Sequence, residues 1–252
     1  MLDFKNVYAS LGGTQILSDI CLHVKRGEIT TVIGPNGSGK TTLLQCLNGS
    51  TRVTSGEIFI DGRSFLSLPP KERAKMVSFL PQVRTIIPSL PTHTLVEHGR
   101  FPYLGFSRRL DNRDREIVKS AMDFSQVSEY SPQYTDTLSG GIRQRVFFSM
   151  VLAQDCSLLV LDEPTTYLDP AGQLYFLKML DRLRTDGRTI LLVLHDLNQA
   201  FRISDTLVVM SNRKIAAIGT PAECRKQHVI EDVFSVKIKK FHDEDGEYYF
   251  FV

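Results

Sequence analysis

Residues 34–41, Gly34-Pro35-Asn36-Gly37-Ser38-Gly39-Lys40-Thr41, fit the G-x-x-x-x-G-K-[ST] pattern of a phosphate-binding loop. Thr30-Thr31-Val32-Ile33, which reads as a short buried strand, precedes the loop, and a helical pattern over residues 40–47 follows it. A loop of this kind needs a strand to deliver its backbone and a helix to receive it, which commits the chain to an α/β fold. Gly34, Gly37 and Gly39 free the backbone to take positive φ and to approach an oxyanion closely. The amides between them then converge as a nest for phosphates, and the following helix adds the positive end of its dipole. Lys40 is expected to reach the β- and γ-phosphates, and the Thr41 hydroxyl to ligate Mg²⁺. Pro35, Asn36, Ser38 and Thr42 complete the expected ligand-binding set.

Composition narrows the partners. Across 252 residues, 42% are apolar, ample for one large α/β domain or for one domain carrying an insertion. The net charge is +2 and no long basic run is present, which argues against a nucleic-acid partner. Residues 1–5 lack the charged and apolar regions of a secretory signal, and apolar stretches such as residues 190–194 are too short to span a bilayer. Four cysteines, Cys21, Cys46, Cys156 and Cys224, are widely spaced with no C-x-x-C, and read as small buried hydrophobes in a reducing compartment. A soluble, cytoplasmic chain is expected.

Short apolar runs alternate about Leu11-Gly12-Gly13-Thr14 over the first 25 residues, predicting antiparallel strands. Residues 57–60 predict a strand entering a tight Asp61-Gly62 turn. Continuous apolar runs at 158–161 and 189–194 predict strands buried on both faces, as in a parallel sheet covered by helices. A helix over 171–185 is expected to place Leu174, Leu177, Leu180 and Leu183 on one stripe. Hairpins are expected for 206–218, about Ser211-Asn212, and for 236–252, about Asp245-Gly246. Residues 86–156 hold no convincing strand. Pro88, Pro91 and Pro102 punctuate the start of that stretch, and helices are expected at 113–124 and 139–154.

Chemistry-bearing residues fall at predicted element ends. Asp162 and Glu163 follow a buried strand, where α/β sheets present groups to ligands. Asp162 there can hold Mg²⁺ against the Thr41 site, and Glu163 can orient or deprotonate an attacking water. His195 closes a second buried strand and can donate a hydrogen bond to a γ-phosphate oxygen. The remaining histidines, His23, His93, His98, His228 and His242, have no such setting. Ser139-Gly140-Gly141 opens a helix packed through Val146, Phe147, Met150 and Val151. Ser139 is suited to cap it, and the exposed amides of its N-terminus suit an anion.

These motifs together resemble the ATP-binding cassette (ABC) family over nearly the whole chain. Residues 34–41 resemble its Walker A motif, 138–145 its signature, 158–163 its Walker B motif and Leu168-Asp169 its D-loop. His195 resembles the switch histidine. Gln82, in Phe79-Leu80-Pro81-Gln82, resembles the Q-loop glutamine, which implies a role in catalysis and in holding Mg²⁺. The resemblance implies a P-loop NTPase core sheet with an N-terminal antiparallel β subdomain and an inserted α-helical subdomain. The chain would then be a single ATPase domain, with residues 1–85 and 157–252 forming the nucleotide-binding core and 86–156 the helical subdomain. It also implies a head-to-tail homodimer in which each ATP lies between the Walker A loop of one cassette and Ser139, Gly140 and Gly141 of the other. Two positions depart from the common pattern. Ile142 replaces a glutamine, and Leu11 stands where an aromatic usually stacks on adenine, with Tyr8 three residues earlier.

One cassette with no membrane segment implies a peripheral subunit at the cytoplasmic face of the membrane. Its partners would be separate permease subunits and a periplasmic or extracellular substrate-binding protein. Leu95-Val96-Glu97-His98-Gly99-Arg100-Phe101-Pro102-Tyr103-Leu104-Gly105 resembles the ATPases of iron–siderophore, haem and cobalamin importers. Importers of other metal ions or small nutrients, and non-transport cassette ATPases, are the alternatives.

Overall fold

The computed structural model describes residues 1–82, 89–105, 109–243 and 246–252. In chain order the elements begin with β1 (Leu2–Leu11), β2 (Thr14–Val24), β3 (Ile29–Ile33), α1 (Lys40–Asn48), β4 (Arg52–Ile60), β5 (Arg63–Ser64), α2 (Pro70–Arg73) and β6 (Val77–Leu80). Next come α3 (Thr92–Glu97), α4 (Asn112–Phe124), α5 (Gly140–Ala153), β7 (Leu158–Asp162), α6 (Pro170–Thr185), β8 (Thr189–Val193) and α7 (Leu197–Ile203). The chain continues through β9 (Thr206–Ser211), β10 (Lys214–Gly219), α8 (Pro221–Lys226), α9 (Val229–Phe234), β11 (Ile238–Asp243) and β12 (Gly246–Phe251).

Two compact units emerge. The first comprises Met1–Ser67 and Asp181–Val252, the second Leu68–Leu180. In the first, β2-β1-β4-β5 form an antiparallel sheet. β3 lies between β8 and β9, parallel to both, with β10 antiparallel on β9. Every residue of β3 and β8 is buried, Thr30, Thr31 and Thr189 included, as expected of strands covered on both faces. In the second unit β6 and β7 pair in parallel, and between them in sequence the described residues form helices and one isolated bridge, Pro91–Tyr134. The chain therefore has the mixed α/β architecture expected. The region 86–156 is predicted to begin at Ile86 with Pro88 beside it, and both lie outside the described residues.

Turn chemistry fixes the hairpins. Gly12-Gly13 and Asp61-Gly62 join strands through two residues at positive φ, matching the right-handed twist of the flanking strands. The β9–β10 turn is Asn212-Arg213, with φ of 48° and 67°, so Ser211 belongs to the strand and the expected turn moves by one residue. The tip of the β11–β12 hairpin, expected at Asp245-Gly246, falls in part outside the described residues; Gly246 itself opens β12.

Three further expectations are corrected. Leu174 is exposed, and the buried stripe of α6 runs through Phe176, Leu177, Met179, Leu180 and Leu183, because Phe176 packs on Phe148 with ring centroids 4.7 Å apart. Met150 is only half-buried, while Phe148 and Ser149 are fully covered, so α5 is packed on more than one face. Cys21 is exposed, its thiol accepting a 3.4 Å contact from the Asn6 amide, whereas Cys46, Cys156 and Cys224 are buried. Burial pushes the Cys46 thiol up to about 12 and Cys224 up to about 11. The thiolate is the reactive form. Titration of the native protein with an aromatic disulfide reagent near about pH 8 should therefore modify Cys21 alone, with the other three following only on unfolding. Equal rates at Cys21 and Cys46 would contradict this packing.

Candidate functional site

In the first unit, parallel register carries two expected residues to one sheet edge. Val32 of β3 is opposite Val193 of β8, and the chain leaves each strand to place Gly34 and His195 two residues beyond that pair. The Leu194 amide donates to the Val32 carbonyl at 3.4 Å, extending the pairing to that edge. His195 is exposed there.

The loop itself is built by exclusion. A Cβ on Gly34 would collide with the Met210 carbonyl of β9 and lie 2.8 Å from Ser38 Oγ. Gly37 and Gly39 have φ of 77° and 103°, and a Cβ on Gly39 would lie 2.8 Å from Leu17 Cδ2 and 3.1 Å from the Ile16 carbonyl. Lys40 is buried, and its Nζ donates to the carbonyls of Gly34 at 2.8 Å and Pro35 at 3.0 Å, spanning the loop. Ser38 Oγ is buried with no hydrogen-bond partner, and α1 starts at Gly39 without a side-chain cap. A buried orphan hydroxyl, a helix N-terminus without a side-chain cap and a buried ammonium fit a polyphosphate well. Thr41 is half-buried and Thr42 buried on the first turn of α1. Leu11 is exposed at the end of β1, and Tyr8 is half-buried on the same strand.

The second unit repeats the register argument. Leu80 of β6 is opposite Leu161 of β7, so Gln82 and Glu163 each follow by two residues. Their side chains meet: Gln82 Nε2 donates to Glu163 Oε2 at 2.5 Å. Thr166 Oγ1 donates to the same oxygen at 3.1 Å, a partner the sequence reading missed. Its only signal was a hydroxyl three residues after an acid in a tight turn. Glu163 has φ of 50°, a left-handed conformation that a carboxylate-bearing residue takes up at a cost of about 1–3 kcal/mol. Asp162, just before it, is 2% exposed at the end of β7. Its carboxylate, the Thr41 hydroxyl and the Gln82 amide oxygen are all hard oxygen donors of the kind Mg²⁺ takes.

Ser139 caps α5 as expected, accepting from the Ile142 amide at 3.4 Å. Ser139 and Gly140 are exposed, and with Gly141, Leu168 and Asp169 they border a cavity of about 550 Å³. Asp169 Oδ1 accepts from the Gly172 amide at 2.7 Å. Gln144 Nε2, one helical turn along α5, donates to the Pro164 carbonyl at 2.8 Å, tying this helix to the turn that holds Glu163. The motif 95–105 is also anchored to α5. Arg100 is 5% exposed, with Nε donating to Asp114 Oδ1 at 2.8 Å and an Nη donating to the Ala153 carbonyl at 2.9 Å. Phe101, next in sequence, stays 56% exposed.

Among the remaining histidines, His23 meets Asp3, His93 meets the Ser131 carbonyl, His228 meets Glu231 and His98 stacks on Phe101. The side chain of His242 lies outside the described residues. No helix among the described residues is long and apolar enough to cross a membrane.

Gly39→Ala isolates the loop geometry, since it adds one methyl where φ and two neighbours both forbid it. It should lower stability by about 1–3 kcal/mol and weaken ATP binding at least about tenfold by titration calorimetry. Parental Tm and affinity in that variant would show that the loop does not depend on this conformation.

Comparison with known proteins gives the family. Residues 17–166 match the family model described as ABC transporter. The iron(3+)-hydroxamate import ATP-binding protein of Bacillus subtilis (strain 168) is 40% identical over 226 residues, covering 89% of this chain and 84% of that protein. The hemin import ATP-binding protein of Pseudomonas entomophila (strain L48) is 34% identical over 243 residues, covering 94% of each. Among solved structures, a dimeric post-hydrolysis state of an ATP-binding cassette bound to ADP and Pi superposes with a TM-score of 0.77 at 27% identity, covering 88% of this chain and 99% of that one. The chain with this phosphate loop, strand-end carboxylates and capped signature turn belongs to the ABC transporter family, as an ATP-binding subunit.

Proposed function

We propose that the chain hydrolyses ATP to drive import of an iron–siderophore or haem-type complex through separate permease subunits. The observation that carries the catalytic part is the Glu163 carboxylate, buried and held by Gln82 and Thr166 immediately after β7. A carboxylate so fixed is poised to take a proton from water, and its two donors orient it without neutralising it. Gln82 uses its amide nitrogen on Glu163, which leaves its amide oxygen for metal. Thr41, Gln82 and Asp162 are the groups that would hold Mg²⁺, which when bound supplies charge neutralisation at the phosphates.

Lys40 and the loop amides bind the β- and γ-phosphates, and His195 donates to a γ-phosphate oxygen from the adjacent strand end. Ser139, Gly140 and Gly141 act on the ATP of a second copy, where their amides stabilise charge on the γ-phosphate. ATP thereby joins two cassettes, and its hydrolysis releases them. The dimeric relative bound to ADP and Pi supports this reading.

The cargo class rests on the relatives named as iron(3+)-hydroxamate and hemin import ATP-binding proteins and on the resemblance of residues 95–105. Residues 86–156 would be the helical part through which Gln82 and the segment after it convey closure to the permease, at the cytoplasmic face of the membrane. A substrate-binding protein outside the membrane would deliver the complex.

Glu163→Gln keeps the size of the side chain and removes the base. Hydrolysis should fall by about two to four orders of magnitude, and Mg²⁺-ATP should trap a dimer by size-exclusion chromatography. A Glu163→Gln protein turning over ATP at the parental rate would remove Glu163 from the role of base.

A further inference from the structure

We infer that the β11–β12 hairpin is a positioning device for His195, acting through α7, with Phe201, Tyr249 and Phe251 as its contact residues. The inference rests on the assignment of His195 to the γ-phosphate.

α7 is far too short to hold its shape alone in water. Its N-terminus is fixed by Asp196, whose Oδ1 accepts from the amides of Asn198 at 2.7 Å and Gln199 at 3.3 Å. At its far end Ser204 Oγ lies 2.5 Å from Thr31 Oγ1 on β3 and 2.6 Å from the Ala200 carbonyl. Between these anchors the helix depends on Phe201, which is buried. Its ring meets Tyr249 at a centroid distance of 5.1 Å and Phe251 at 5.3 Å, the latter edge-on. Positions 249 and 251 share one face of β12, so a single strand presents both rings to a single side chain. Pairs at these distances add about 0.5–1.5 kcal/mol each beyond their buried area.

The hairpin also reaches α8. The Arg225 guanidinium lies 5.9 Å over the Tyr249 ring, and its Nε is buried without a hydrogen-bond partner. The ring supplies a cation–π attraction in place of that bond. Tyr249 is therefore fixed from a second side, and the hairpin is braced against α8 as it holds α7.

His195 sits one residue before the cap of α7, so any rotation or slide of this helix moves the imidazole. Close contacts around the phosphate loop come from elsewhere, from Ile16 and Leu17 of β2 and Met210 of β9. Releasing the hairpin should thus displace a group that acts during hydrolysis while leaving ATP binding in place. Small misplacements of such groups cost rate steeply.

The test is steady-state ATPase kinetics and direct ATP titration on the purified full chain. In Phe201→Ala and in the double variant Tyr249→Ala/Phe251→Ala, kcat should fall about tenfold or more, with KM and ATP affinity within about twofold of the parent. Tyr249→Phe keeps the ring contacts and should keep kcat. Parental kcat in the double variant overturns the proposal, as does a joint fall of kcat and ATP affinity. If Phe201→Ala fails to fold, the double variant at half-exposed hairpin positions decides alone. His195→Ala separates the two ideas. Parental turnover there removes the histidine assignment, whereas low turnover there with unaffected hairpin variants removes only the hairpin's role.

Discussion

Parallel strand pairing is the constraint on which the chemistry depends. β3 with β8, and β6 with β7, each hold two backbones in fixed register up to the sheet edge. The residue two positions past each pairing is then placed by hydrogen bonds that were already needed to bury the strands. Gly34 and His195 share one such edge, Gln82 and Glu163 another. A one-residue slip would exchange the side chains packed on the two faces of each strand, so packing holds the same register as the hydrogen bonds. The placement of these four residues is thus inherited from core packing.

Helix ends add the second element. Asp111, Ser139, Asp196 and Thr220 each satisfy first-turn amides of their helices with a side-chain oxygen. α1 begins instead at a glycine with no such oxygen, directly after a loop whose buried Ser38 hydroxyl lacks a partner. A helix start without a side-chain cap, beside a buried hydroxyl that lacks a partner, suits a ligand that brings its own oxygens. Ser139 shows the intermediate case. Its hydroxyl caps α5 locally, while Gly140 beside it is exposed and Gly141 half-buried.

Much of this was legible in the residues. The phosphate loop, the two buried runs ending in Asp162-Glu163 and His195, and the Ser139 cap all carry local signals of spacing and polarity. The antiparallel hairpins were equally plain, since Gly-Gly and Asp-Gly turns announce themselves. What failed depended on neighbours distant in sequence. Leu174 fits a helical stripe, yet Phe148 draws Phe176 inward and leaves Leu174 in solvent. Cys21 has the character of a core residue but falls on the outer face of β2. Thr166 and Gln144 bind the Glu163 turn through contacts that no periodicity reveals. The α7, α8 and α9 helices, all short, lack the length that makes an amphipathic pattern readable.

The left-handed backbone at Glu163 has an evolutionary side. Glycine or asparagine would sit there with less strain, so folding alone favours replacing the acid. The role proposed for it as the base in hydrolysis would be what holds a glutamate in that conformation. A descendant freed from hydrolysis, retained as a passive nucleotide sensor, would be expected to lose the acid at this position early and to gain thermal robustness in doing so.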